Sequence, residues 1–284
     1  GSYYLYDRVN KQLNYIAPTR SSIFAEQMAP AKMIDVPVRD GSAITAILTT
    51  PMGQNSKNRP AIILPHGGPH SNGDNAHWDF WAQFYANRGY TVLQPNFRGT
   101  EGYGDAFYAK GRKQWGGLMQ DDVTDATKWL ISEGYADPER ICIAGASYGG
   151  YAALMGTIKE PNLYKCSMSV NGVTDLPRLK TSEKNSIGGR SWIKTMGLEG
   201  ADDRTVSPHD RADEINVPVL LMSSVDDARI SYRMSQSTHN KLKKLGKDST
   251  YVNIEDGTHY MVTKASRMTL LSETEKFLKK HIGN

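Results

Sequence analysis

Ser147 lies in the run Gly145-Ala146-Ser147-Tyr148-Gly149, which fits G-x-S-x-G. A serine hydroxyl is a weak nucleophile unless a base removes its proton and a carboxylate orients that base. The two glycines suit a sharp strand-to-helix turn, because a side chain at either flank would collide with neighbouring backbone. The flanking residues agree: the apolar Ile141-Cys142-Ile143-Ala144 precedes the serine and the helix-compatible "YAALMG" follows it. Such a turn exposes the hydroxyl and aims the amide N–H of Tyr148 at a reacting carbonyl. The chemistry to test for is therefore acyl transfer.

In chains that place the nucleophile on such a turn, the acid and then the histidine follow in sequence. His209, His239, His259 and His281 follow Ser147. His239 falls in a predicted helix and His281 near the end of the last one, so both are expected at the solvent face. His209 follows Pro208 without a strand before it. His259 differs, sitting in the glycine-containing "EDGTHY" directly after the strand-like Tyr251–Ile254. That position is the carboxyl edge of a parallel sheet, where sites of α/β proteins assemble. The acid is expected at the same edge, and "VPVLLMSSVDDAR" offers Asp226 and Asp227 after a long apolar strand. Local residues do not choose between the two. A second oxyanion donor is expected from the glycine-rich "ILPHGGPH" at residues 63–70, where backbone amides can approach a developing negative charge.

These loops need a scaffold. Short apolar runs at Ala61–Leu64, Thr91–Leu93, Ile141–Ala144, Met168–Val170, Val217–Met222 and Tyr251–Ile254 alternate with helical periodicity. That pattern belongs to a parallel sheet covered on both faces, an α/β fold. Trp78, Trp81 and Tyr85 fall on one helical face, as do Val123, Ala126 and Leu130, with Asp121 or Asp122 available as a cap. The last helix aligns Met268, Leu271, Leu278 and Ile282. Ahead of this pattern, "VPVRDGSAITAIL" predicts a hairpin about Asp40-Gly41. The opening "YYLYDRVNKQLNYI" predicts two short strands around a polar turn, ending at Pro18. Thr174 to Asp213 is the least periodic stretch and predicts irregular helices over the sheet edge.

At 284 residues, with 39% hydrophobic and 23% charged residues, the chain can bury one large core with an appendage. The formal charge of +4 is spread thinly, and no basic cluster with interleaved aromatics suggests a nucleic-acid partner. No apolar run approaches the roughly 18 residues of a membrane span. The expectation is a soluble chain of cytoplasm or periplasm, with the compartment open, since Gly1-Ser2 has the look of a cloning remnant. Cys142 and Cys166 are expected as two buried thiols rather than a disulfide. No His/Cys/carboxylate cluster has ligand-like spacing, so neither a metal nor an organic cofactor is implied.

Five stretches together carry a more specific signal: "HGGPH" at 66–70, "NFRGTEGYG" at 96–104, "WGGLMQDDV" at 115–123, "GASYGGYAAL" at 145–154 and "DDAR" at 226–229. In these the chain resembles the catalytic domain of the prolyl oligopeptidase family of serine peptidases, nearest its acylaminoacyl-peptidase and dipeptidyl-peptidase branches. The resemblance spans most of residues 34 to 284. It implies an α/β-hydrolase fold and a triad of Ser147, Asp227 and His259. It also implies oxyanion donors at the amides of Tyr148 and Gly68, and Arg229 as a holder of a substrate carbonyl. The acid is resolved because the family's aspartate lies two residues before such an arginine or asparagine. The opening strands look like the end of a β-propeller preceding the hydrolase, the rest of which is missing here. The division implied is an N-terminal segment, 1–30, and a catalytic domain, 31–284.

Three stretches depart from the family: Ser223-Ser224 for the usual His-Gly, Ile230-Ser231 for Val-Pro, and Tyr260-Met261 for glycine and an aromatic or aliphatic residue. They bear on loop geometry and pocket shape, not on the triad. Tyr151, Trp192 and Tyr260 are candidates for the pocket or the core, and Arg98 is expected to brace a sheet edge. The function expected is hydrolysis of short peptide substrates through an acyl-enzyme. A carboxylesterase with the same triad and a catalytically silent hydrolase used as a binding module are the alternatives. Residue preference, oligomeric state and endo- or exopeptidase action are not encoded in these motifs.

Overall fold

A computed structural model describes residues 1–53, 56–199 and 203–283. The strands are β1 (Ser2–Asp7), β2 (Gln12–Pro18), β3 (Ala31–Pro37), β4 (Ala43–Thr49), β5 (Arg59–Ile63), β6 (Thr91–Asn96), β7 (Ala136–Ala146), β8 (Cys166–Val170), β9 (Val219–Ser224) and β10 (Ser249–Ile254). The helices are α1 (Phe80–Asn87), α2 (Asp105–Gly111), α3 (Leu118–Ser132), α4 (Tyr148–Lys159), α5 (Leu176–Lys184), α6 (Gly189–Thr195), α7 (Tyr232–Lys244) and α8 (Lys264–His281). Strands β3 to β10 form one sheet in the order β10-β9-β8-β7-β5-β6-β4-β3. Only β3–β4 and β4–β6 pair antiparallel; the five remaining pairings are parallel. All six apolar runs of the sequence become strands of this sheet; β5 to β9 are buried on both faces along these runs, while the edge strand β10 is largely half-buried and carries the exposed Asn253. This is the α/β-hydrolase fold.

Two cores cover the faces. One packs α3 and α4 on the sheet through Val123, Ala126, Leu130, Tyr151 and Leu154. The other packs α1 and α8 through Trp81, Tyr85, Leu270 and Leu278. Several helix details differ from expectation. Trp78 lies ahead of α1, because Asp79 caps it by accepting from the Ala82 N–H. Helix α3 begins at Leu118 with Gly117 as its cap, so Asp121 and Asp122 lie inside its first turns. Met268 is exposed on α8, whose buried residues include Leu270, Thr274, Phe277 and Leu278. His239 is half-buried and bonds Ser249 Oγ at 2.9 Å, so it does not face solvent as expected.

The irregular stretch folds as α5, α6 and a short 3-10 turn at Ala212–Glu214, placed above the sheet edge. Strands β1 and β2 pair with each other in a separate two-stranded sheet. Cys142 on β7 and Cys166 on β8 are register partners with Cα atoms 4.7 Å apart, and their sulfurs are paired. The expectation of two separate thiols is corrected here, since parallel register sets the two side chains directly beside each other. Among the described residues no helix is long and apolar enough to cross a membrane.

Candidate active site

The carboxyl ends of β5, β7, β9 and β10 each carry one element of the site. After β7 the chain turns sharply into α4, and Ser147 occupies the turn with φ 58° and ψ −121°. A non-glycine residue held there stores roughly 1–3 kcal/mol of backbone strain, which the surroundings must enforce. They do so by bonding: the Ser147 N–H donates to Val170 O at 3.0 Å, while its carbonyl accepts from Tyr151 and Val173. The flanking glycines allow the close packing. A Cβ at Gly145 would lie 2.5 Å from the Gly149 carbonyl, and one at Gly149 would lie 2.1 Å from Pro65 O. Ser147 is the N-cap of α4, yet its side chain makes no capping hydrogen bond. The hydroxyl is thus left for chemistry at the positive end of a helix.

His259 and Asp227 meet across their loops. His259 Nδ1 lies 2.7 Å from Asp227 Oδ2. A carboxylate can only accept, so Nδ1 carries the proton and Nε2 is left with its lone pair. The other oxygen, Asp227 Oδ1, accepts from the Arg229 N–H at 2.7 Å and the Ile230 N–H at 2.9 Å. The Asp227 side chain is fully buried, whereas Asp226 is exposed beside it. Of the two aspartates that local sequence left open, Asp227 is the one in contact with His259.

Residues 65–71 form the opposite wall. A Cβ on Gly67 would approach the Ser147 Cβ at 3.4 Å, so this loop runs directly against the serine. His66 holds it: Nδ1 donates to Gly67 O at 2.7 Å, Nε2 pairs with Thr100 Oγ1 at 2.9 Å, and the ring stacks on Phe97. Burial pushes the His66 imidazole down to about 4, so it is neutral at ordinary pH. His70 Nδ1 donates to Gly99 O at 2.8 Å. Arg98, in the same support, is buried against Asp122 and also reaches Asp40. It braces the sheet edge as expected and does not reach the cleft.

Ser147, Gly68, Arg229 and His259 line one cleft of about 820 Å³, with Leu179, Ile187 and Trp192 on its far wall. The Tyr148 ring is buried against Phe97 and Trp115 and does not line the cleft. Tyr151 is core, whereas Trp192 and Tyr260 line the cleft. Sequence reasoning missed Asn171. It is buried at the end of β8, where its Oδ1 accepts from the Ser224 N–H at 2.8 Å. Its Nδ2 donates to the Thr258 and His259 carbonyls at 3.2 and 3.4 Å, tying together the loops of the acid and the histidine. Its one visible signal is a polar residue ending an apolar strand just before a glycine. The Ser223-Ser224 departure also has a place here: Ser223 Oγ pairs with Tyr251 Oη at 2.8 Å, and Gly257 leaves room for the Ser224 side chain.

A mostly parallel sheet with Ser147, Asp227 and His259 on the loops after β7, β9 and β10 at one edge is the architecture of an α/β-hydrolase. The chain belongs to the prolyl oligopeptidase family, which it matches over residues 76–284. It is 29% identical over 297 residues to dipeptidyl aminopeptidase BIII of Pseudoxanthomonas mexicana, covering 99% of this chain and 43% of that one. It is 25% identical over 250 residues to the acylamino-acid-releasing enzyme of Mus musculus, covering 84% and 34%. Acylaminoacyl peptidase of Pyrococcus horikoshii superposes with a TM-score of 0.84 at 25% identity, over all of this chain and 46% of that one. A puromycin-hydrolyzing peptidase of Mycobacterium tuberculosis shares the fold, with a TM-score of 0.88 at 22% identity over 99% and 44% of the two chains. The chain spans less than half the length of these relatives.

Proposed function

We propose that the protein is a serine peptidase that hydrolyses short peptides, in the manner of the acylaminoacyl and dipeptidyl peptidases, through an acyl-enzyme at Ser147. The observation that carries this reading is the 2.7 Å Asp227–His259 bond at the rim of the cleft that Ser147 lines. His259 Nε2 takes the Ser147 proton as Oγ attacks the scissile carbonyl, then gives that proton to the leaving amine. Water attacks the resulting ester, His259 takes its proton, and the return of that proton to Oγ releases the acid. Asp227 fixes the tautomer and stabilises the imidazolium. The amides of Tyr148 and Gly68 hold the oxyanion, and losing one such donor typically raises the barrier by about 2.7–4 kcal/mol. Arg229 orients a peptide carbonyl; it lines the cleft, and among the described residues its guanidinium enters no ion pair.

The test is covalent labelling by an active-site fluorophosphonate, run beside assays on an aminoacyl anilide and a short-chain aryl ester. The protein is expected to be labelled and to cleave the anilide, and Ser147→Ala is expected to lose both. An unlabelled protein would be a silent hydrolase serving as a binding module. Ester turnover with no peptide or anilide cleavage would make it a carboxylesterase.

We further assign residues 1–30 to an N-terminal segment and 31–284 to the catalytic domain. The β1–β2 hairpin pairs with nothing in the main sheet. The chain also matches less than half of its relatives' length, which supports reading the hairpin as the end of a preceding β-propeller.

A further inference from the structure

A second cavity, of about 260 Å³, opens on the other side of His259. It shares His66, Gly67, Ala146, His259 and Tyr260 with the main cleft, but neither Ser147 nor Arg229 lines it. Its floor and walls are Phe80, Trp81 and Met261, and its polar groups are Asp74, Asp79 and Gln94. Drug-sized ligand sites run to roughly 300–1,000 Å³, so this one is on the scale of a single side chain.

The proton path gives the cavity a direction. His259 receives a proton from Ser147 and must hand it to the leaving amine. The leaving half of a peptide therefore departs along the His259 flank, away from Arg229 and the acyl side. We propose that this cavity is the leaving-group subsite, and that Asp74 and Asp79 make it select a peptide whose first residue after the scissile bond is cationic. This inference rests on the peptidase reading above.

Three observations support it. Among the described residues neither carboxylate is in an ion pair; Arg267, which packs over Phe80, donates instead to Met261 O at 2.9 Å. Burial raises Asp74 to about 7, the Asp79 charge adds to that shift, and burial raises Asp79 as well. Two carboxyls so placed gain from a cation brought between them, and the rings of Phe80 and Trp81 suit an ammonium or guanidinium group. Trp81 Nε1 is buried and has no hydrogen-bond partner among the described residues, an unpaired donor in the side chain that walls the cavity.

The experiment measures kcat/KM for peptides that share one acyl half and carry lysine, norleucine or glutamate after the scissile bond. An aryl ester of the same acyl half, with no residue in that position, reports the triad alone. The lysine peptide is expected to exceed the norleucine peptide by about tenfold, with glutamate slower still. Asp74→Asn, and more so Asp74→Asn with Asp79→Asn, should bring the lysine-to-norleucine ratio toward one. Equal rates for lysine and norleucine in the unmodified protein would overturn the subsite, whatever the variants do. So would a ratio unchanged in a folded double variant. Peptide turnover without charge preference defeats this inference alone, whereas ester turnover with no peptide cleavage defeats the peptidase reading and the subsite with it.

Discussion

Asp227 bonds His259 and Asp74 lines a cavity with it, and the two carboxyls are supplied with hydrogen-bond donors very differently. Asp227 receives two backbone N–H groups and the imidazole N–H, a full set of donors for a buried carboxylate. Asp74 has the Gln94 amide for help, while Asp79 lies close by and burial opposes its ionisation. Its raised value of about 7 has a consequence for stability. Between its ordinary value of 3.8 and about 7, the folded state binds a proton that the unfolded state has released, so stability falls as pH rises through that window. Asp79, shifted in the same direction, adds to the fall, while His66, His259 and Arg267 are the cationic or titratable groups around the cavity. Asp74→Asn is expected to remove this one contribution, so that relative to the parent the variant gains stability between pH 4 and pH 8, by on the order of a few kcal/mol. Urea titrations at pH 4, 6 and 8 measure it; an equal slope in both proteins would contradict the assignment. Residue types announced Ser147 and His259 because each stands in a glycine-bearing loop after an apolar run. They did not announce Asn171, whose hydrogen bonds reach neighbours distant in the chain.

Elements were the most legible level. The inner runs became strands because full burial on both faces demands unbroken hydrophobicity, and each of those runs displays that demand; the edge strand β10 needed less of it. Helix boundaries were less legible: Asp122 resembles a cap in sequence, but its carboxylate is committed to Arg98. That pairing fixes one end of a chain of supports. Asp122 accepts from the Arg98 backbone N–H at 2.8 Å and from its guanidinium, while Gly99 and Thr100 next in line hold His70 and His66. The loop against Ser147 is thus braced by α3 through the segment after β6. Asp122→Ala leaves the buried guanidinium with only the half-exposed Asp40, and truncating one partner of a buried pair costs about 3–5 kcal/mol. Asp40→Ala should change stability little, because the fully buried Asp122 stays in place. Urea denaturation of the two variants checks the contrast. Comparable losses would mean that Asp40, not α3, anchors the arginine.

At the scale of the molecule, the N-terminal hairpin is the part that least resembles a finished structure. Tyr3, Tyr4, Leu5, Tyr6, Leu13, Tyr15 and Ile16 are each more than half exposed, on both faces of a two-stranded sheet. An isolated pair of strands is marginal in water, and exposed aromatic strands belong to larger sheets. The following residues behave differently. Arg20 lies 3.8 Å over the Trp78 ring, and Ala29 exchanges two hydrogen bonds with the Gln83 side chain of α1. Within the N-terminal segment assigned above, residues 20–29 are therefore tied to Trp78 and to α1 without forming a strand, whereas the hairpin pairs only with itself. Removing residues 1–18 is expected to leave the melting temperature within about 2 °C of the parent, since a loss of 1 kcal/mol would shift a domain of this size by only about 2–4 °C. Removing residues 1–30 breaks the Trp78 and Gln83 contacts and should lower it further. Calorimetry on both truncations decides the point: a drop of more than about 5 °C on removing the hairpin alone would make β1 and β2 part of the catalytic domain's own stability, against their reading as the end of a separate one.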